Sequence, residues 1–194
     1  PGRTLYTAPE KVLDAPDIRD DYYLNLLDWS SRGLLSIGLT KEFISILQCQ
    51  LTNFAQNKMN TFAIIFSPSG DQLAVGLESG KTEVYDVERA TLIRTLRGHT
   101  NRVSSSAFTF GMLFTGSKDS KILGHDYRAP NSTSIKFLDT EDKFGIKHDP
   151  CGLASGSNDN SANIWDISAG KLRFQLTGHK AAVKALSDSG KTLI

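Results

Sequence analysis

The sequence predicts an all-β chain folded as a propeller of repeated blades. Three observations carry this: a 40-residue period, short strand-like runs set between turn residues, and almost no stretch of helical periodicity. Gly76, Gly116 and Gly156 fall 40 apart, as do Asp86, Asp126 and Asp166. Each glycine opens a turn-like segment, Gly76–Gly80, Gly116–Ser120 and Gly156–Asn160. Each aspartate ends a strand-like run, Lys81–Asp86, Lys121–Asp126 and Ser161–Asp166.

Taken in order, residues 1–21 form a lead-in, and 22–194 form the repeated part. The first four-stranded blade lies within 22–55 and has the weakest pattern. The second, 62–97, holds the apolar runs Phe62–Phe66 and Leu73–Gly76, broken by the turn residues Ser67-Pro-Ser-Gly70, and closes on Thr91–Leu96. The third, 102–138, holds Met112–Thr115, and the fourth, 142–177, closes on Lys171–Leu176. A further blade starts within 181–194, at Ala181–Leu186 and Lys191–Ile194. Propellers close at roughly four to eight blades to protect their sheet edges, so about four blades and the start of another are expected to be an incomplete ring.

Gly98-His99 and Gly178-His179 lie 80 apart, each after a strand-like run, and Trp165-Asp166 ends another. This order resembles the WD repeat, in which the GH histidine, a strand Ser or Thr, a turn Asp and a strand Trp form a buried hydrogen-bond network. The residues expected in it are His99, Asp119, Asp159, Trp165 and His179. The repeats are divergent: His125 takes the Trp place of the third blade, and Leu138-Asp139 the GH place before Asp159.

Composition narrows the function. The 194 residues carry 22 Lys+Arg against 21 Asp+Glu, a net charge of +1, which gives no field for gripping nucleic acid. No apolar run is long enough for a membrane-spanning helix, and no N-terminal run has the form of a signal peptide. Cys49 and Cys151 make neither a disulfide framework nor a zinc set, so an intracellular chain with reduced thiols is expected. His99, His125, His148 and His179 are dispersed by the repeat without HExxH or CxxC, so no metal site and no cofactor are expected. His148-Asp149 near Cys151 is a weak hint of a thiol nucleophile. No paired catalytic carboxylates and no phosphate loop accompany it, and the chain is not expected to be an enzyme.

The segment Pro9-Glu-Lys-Val-Leu-Asp-Ala-Pro16 through Tyr23-Leu-Asn-Leu-Leu-Asp-Trp29-Ser-Ser closely resembles the lead into the first blade of the Fizzy and Fizzy-related coactivators of the anaphase-promoting complex. Gly152–Asn160 is similar to that family's GGNDN turn, and Ala181–Leu186 to its opening of the following blade; the resemblance spans about 5–186. It implies a seven-blade ring, within the usual propeller range of roughly four to eight. It also implies a substrate-recognition adaptor of a ubiquitin ligase that binds D-box and KEN-box degrons. For the D box, the match puts Asp14 on the acceptor of the motif's arginine, with Leu13 and Ile37 on its leucine pocket. For the KEN box, it puts Asp21 on the acidic position and Asn158 and Asn160 on the two amides.

The implied partners are subunits of the anaphase-promoting complex and degron-bearing substrates such as mitotic cyclins and securin. Spindle-checkpoint proteins are implied through N-terminal segments that these residues do not include. Neither nucleic acid nor membrane is expected as a partner, and the expected location is nucleus and cytoplasm. The alternative is a generic WD scaffold of another complex. Without the resemblance, Asp14 beside Pro16 reads as a turn residue, Asp21 as a solvated charge, and Asn158 with Asn160 as a tight turn needing positive φ.

Overall fold

The computed structural model describes residues 8–9, 12, 14–15, 18–21, 23–39, 43–47, 50–55, 60–109, 111–129, 135–139, 143–149 and 152–186. Among these, sixteen strands form four antiparallel sheets and no helix is found. The first sheet is β1 (Leu27–Trp29), β2 (Leu35–Gly38), β3 (Phe43–Leu47) and β4 (Gln50–Ala55). The second is β5 (Thr61–Phe66), β6 (Gln72–Leu77), β7 (Thr82–Asp86) and β8 (Thr91–Leu96). The third is β9 (Val103–Phe108), β10 (Leu113–Ser117), β11 (Lys121–His125) and β12 (Ile135–Asp139). The fourth is β13 (Lys143–Asp149), β14 (Gly152–Ser157), β15 (Ala162–Asp166) and β16 (Lys171–Leu176). Each sheet is a meander in which sequence neighbours pair, as in a propeller blade.

The first strands of the sheets adjoin in sequence order, β1 to β5, β5 to β9 and β9 to β13, and so form the inner wall. Asn25 ties three of them together. Its backbone bridges β5 through Asn25 N–H to the Phe62 carbonyl and Ile64 N–H to its own carbonyl, and its side-chain amide donates to the Ser104 carbonyl at 3.2 Å.

The 40-residue marks have physical reasons. A Cβ on Gly76 would lie 2.8 Å from the Val103 carbonyl oxygen, and one on Gly156 would lie 2.4 Å from that of Val183, so these glycines let the next inner segment lie against the sheet. Gly80, Ser120 and Asn160, each the last residue of its turn, have φ of 79°, 69° and 64°. That left-handed backbone is easy for Gly, tolerated by Asn and costly for Ser. The periodic aspartates close the next turn: the Asp86, Asp126 and Asp166 carboxylates accept from the backbone N–H of Arg89, Arg128 and Ala169.

The core lies between blades. Leu34 of the first sheet packs with Ile64, Phe66, Leu73 and Tyr85 of the second; Ala74, Val84 and Leu96 pack with Phe108 and Leu113; Phe114 and Ile122 pack with Leu153 and Trp165. Burying each such side chain contributes about 1.5–3 kcal/mol. The two ends differ. Phe66 and Phe108 are 5% and 6% exposed, whereas Trp29, at the same inner-strand place of the first sheet, is 66% exposed. Leu96 on β8 is buried, whereas Leu172, Phe174 and Leu176 on β16 are all exposed.

The segment 181–186, expected to open a further blade, has no strand pairing among the described residues. It lies in the inner place beside the fourth sheet, with Val183 buried and its N–H on the Ser157 carbonyl. The expected run Lys191–Ile194 lies outside the described residues.

Candidate functional site

One end of the blades gathers the second-to-third-strand turns and the starts of the inner strands. Lys118 N–H donates to the Arg102 carbonyl and Val183 N–H to the Ser157 carbonyl, while Gly80 packs under the His99 carbonyl. The turns at 78–80, 118–120 and 158–160 therefore share this rim with Arg102 and with Asp21, which precedes β1. Asn158 is exposed at its turn, and Asn160 is half-buried.

Asp21 is held from two sides. Tyr23 N–H donates to Oδ1 at 3.0 Å, and Arg102 Nη1 donates to Oδ2 at 3.3 Å, with both charged side chains about one-fifth exposed. The guanidinium groups of Arg102 and Arg19 stand 5.2 and 5.1 Å from the centre of the buried Phe62 ring, within cation–π range. Sequence reasoning missed Arg102, Arg19 and Phe62. Arg102 lies 81 residues from Asp21, and only the stacking of blades brings them together.

The structural network is divided between two blades. In the third sheet His99 Nδ1 donates to Asp119 at 3.1 Å, and Thr115 Oγ1 donates to Nε2 at 2.9 Å. The tautomer follows from charge: burial holds His99 below its ordinary pKa despite the nearby Asp119 carboxylate, so the ring is neutral at pH 7. Burial alone would raise Asp119, but the Thr100 N–H and His99 outweigh it and hold the carboxyl below its usual range. His125, in the Trp place, is buried with Nδ1 unbonded, and burial pushes its pKa down to about 4.

In the fourth sheet Trp165 Nε1 donates to Ser155 Oγ at 2.8 Å, while Asp159 accepts from Ser161 N–H and Oγ–H. In the second sheet Tyr85 stands in the Trp place, and its hydroxyl donates to Glu83. Among the described residues His179 has no network partner. It is exposed after β16, because the partner of a GH histidine sits in the turn of the following blade, as Asp119 does for His99, and no such blade is among the described residues.

Of the D-box set, Asp14 is exposed in the lead-in, Ile37 is buried in β2 opposite Leu27, and Leu13 lies outside the described residues. Cys49, Cys151 and the side chains of Asp139 and His148 also lie outside them. A cleft of about 270 Å³ opens between inner strands, lined among others by Asn25, Asp28, Ile65, Ser106 and Lys184. Among the described residues no group of three or more His, Cys, Asp or Glu could hold a metal ion.

Stacked four-stranded meanders joined through a His–Asp–Thr network define a class, the WD-repeat β-propellers. A family model described as "WD domain, G-beta repeat" matches residues 90–126. The chain is 36% identical to Meiotic fizzy-related protein 1 of Schizosaccharomyces pombe, over 96% of this chain and 46% of the relative. It is 37% identical to Anaphase-promoting complex subunit cdc20 of Dictyostelium discoideum and 36% to APC/C activator protein CDC20 of Saccharomyces cerevisiae. Each alignment covers 95% of this chain, with 39% and 32% of those relatives. A chain of a solved structure described as "Crystal Structure of Mitotic Checkpoint Complex" superimposes with a TM-score of 0.89 at 36% identity, over 93% of this chain and 59% of that one. Within the class, the chain is similar over most of its length to proteins named fizzy-related and CDC20. It spans less than half the length of these curated relatives.

Proposed function

We propose that the chain acts as part of a substrate-recognition adaptor of the anaphase-promoting complex, reading degrons rather than carrying out chemistry. Asp21, Asn158 and Asn160 read a KEN box at the rim, and Asp14, with Leu13 and Ile37, reads the arginine and leucine of a D box beside the lead-in. The observation that carries the reading is the shared rim. Asp21, held by a backbone N–H, stands at the same end of the blades as the exposed Asn158 turn. Turn residues on a rigid sheet are where a propeller presents side chains to a ligand. Names of relatives support the wider role, since they include an activator and a subunit of that complex. In this reading the partners are subunits of the complex, degron-bearing cell-cycle substrates and checkpoint proteins, in nucleus and cytoplasm.

The test is titration of fluorescent D-box and KEN-box peptides, with scrambled controls. They are added to the chain and to a complete ring in which it replaces the aligned residues of the fission-yeast relative. Asp14→Ala is expected to weaken the D-box peptide about tenfold and spare the KEN peptide, as loss of one charge-assisted hydrogen bond would. Asn158→Ala with Asn160→Ala is expected to do the reverse. No specific binding by a folded complete ring would leave a WD scaffold of other function.

A further inference from the structure

Lys184 and Tyr23 lie 161 positions apart in the chain, yet the Lys184 ammonium stands 3.8 Å from the centre of the Tyr23 ring. We propose that this pair is a clasp, through which the segment 181–186 holds the lead-in against the blades and can let it go without unfolding them. Lys184 is then a positioning residue for the lead-in. The clasp does not depend on what the rim binds.

The lead-in needs such a hold. Among the described residues it has no strand pairing before Asn25. Its backbone hydrogen bonds are local: Asp21 N–H donates to the Arg19 carbonyl and Leu24 N–H to the Asp21 carbonyl, each at 3.1 Å, and Tyr23 N–H donates to the Asp21 carboxylate. Local turns shape a segment but do not fix where it sits, so side chains must place it. Arg19 over Phe62 and Asp21 on Arg102 tie it to the second and third sheets, and Tyr23 ties it to the fifth segment.

Lys184 has a firm base from which to do this. Its neighbour Val183 is 8% exposed, donates its N–H to the Ser157 carbonyl at 3.1 Å, and lies so close to Gly156 that a Cβ there would stand 2.4 Å from the Val183 carbonyl oxygen. The ammonium is half-buried over a half-buried ring, well inside the roughly 6 Å reach of a cation–π contact, and partial loss of water strengthens that attraction. Release is also provided for. Lys184 lines the cleft of about 270 Å³ together with the Asp28 carboxylate, so an ammonium that leaves the ring enters a space holding water and opposite charge. Two arrangements of one side chain, one fastened and one free, make the strap reversible.

The test is amide hydrogen exchange of the full chain read by NMR at Asp21 and Leu24, with Leu73–Val75 of the buried β6 as the reference for the blades. The variants are Lys184→Met, Lys184→Arg, Tyr23→Leu, Tyr23→Phe and the double variant Lys184→Met with Tyr23→Leu. Lys184→Met and Tyr23→Leu are each expected to speed exchange at Asp21 and Leu24 about tenfold and leave β6 unchanged, with little further gain when combined. Lys184→Arg and Tyr23→Phe, which keep the cation and the ring, are expected to keep the protection. Unchanged exchange at Leu24 in Lys184→Met overturns the proposal. Additive effects in the double variant overturn it too, because the two residues would then act separately. Equal acceleration in β6, or loss of the folded state, also overturns it, because Lys184 would then support the blades and not the lead-in.

Discussion

The third and fourth sheets meet across one core, yet each keeps a different half of the buried polar network. The third has the histidine, aspartate and threonine bonded together, but His125 stands where tryptophan would, with one ring nitrogen unbonded. The fourth has Trp165 on Ser155, but its Asp159 turns to Ser161. The difference teaches that neither half is required for the blade geometry. Pairing between second and third strands is regular in both, Gly116 opposite Ile122 and Gly156 opposite Ala162. The network therefore adds stability and a choice of neighbours to a form that strand pairing and inter-blade packing already set.

The sharpest way to break the comparison is Trp165→Ala. This removes a fully buried aromatic from the cluster shared with Phe114 and Ile122, and a loss of about 4 kcal/mol in urea unfolding is expected. Asp119→Ala comes next, at about 3 kcal/mol. It strips the acceptor from the buried His99 ring, which left unbonded costs about 1–3 kcal/mol, and from the more exposed Thr100 and Lys121 N–H groups, which add less. The pH dependence sharpens the contrast with the smallest expected effect. His125 folds neutral, with its pKa lowered from the ordinary 6.5 to about 4, so its contribution is complete above pH 6.5 and is lost as pH falls toward 4. Stability is expected to drop by about 2 kcal/mol between pH 7 and 5 from this ring, and His125→Phe is expected to flatten that part of a thermal-unfolding pH profile. The Trp place of the fourth sheet has no such titration.

The repeat made most of the fold legible. Gly76 and Gly156 mark close backbone approach, Asp86, Asp126 and Asp166 mark turns, and Asn160 marks a left-handed residue; all are local demands that leave local residues. His125 was legible as a departure from the repeat, though its unbonded nitrogen was not. The rim was legible only in part. Asp21 and the Asn158 turn could be placed by resemblance, but Arg102 and Phe62 reach Asp21 through the stacking of three blades, which no spacing encodes. His179 would find its partner in the turn of a following blade, which is not among the described residues.

The cover over β8 bears on how such a repeat is made on the ribosome. Leu96 on β8 is covered by Phe108 and Leu113, residues that are synthesised after it. At roughly 5–20 residues per second, each finished blade waits on the order of a second for its cover. During that wait Leu96, with Ala74 and Val84 beside it, stands without its cover. Synthesis of the repeat thus passes one sticky surface forward from blade to blade, and the pace of translation sets how long a chaperone or a neighbouring nascent chain has to seize it.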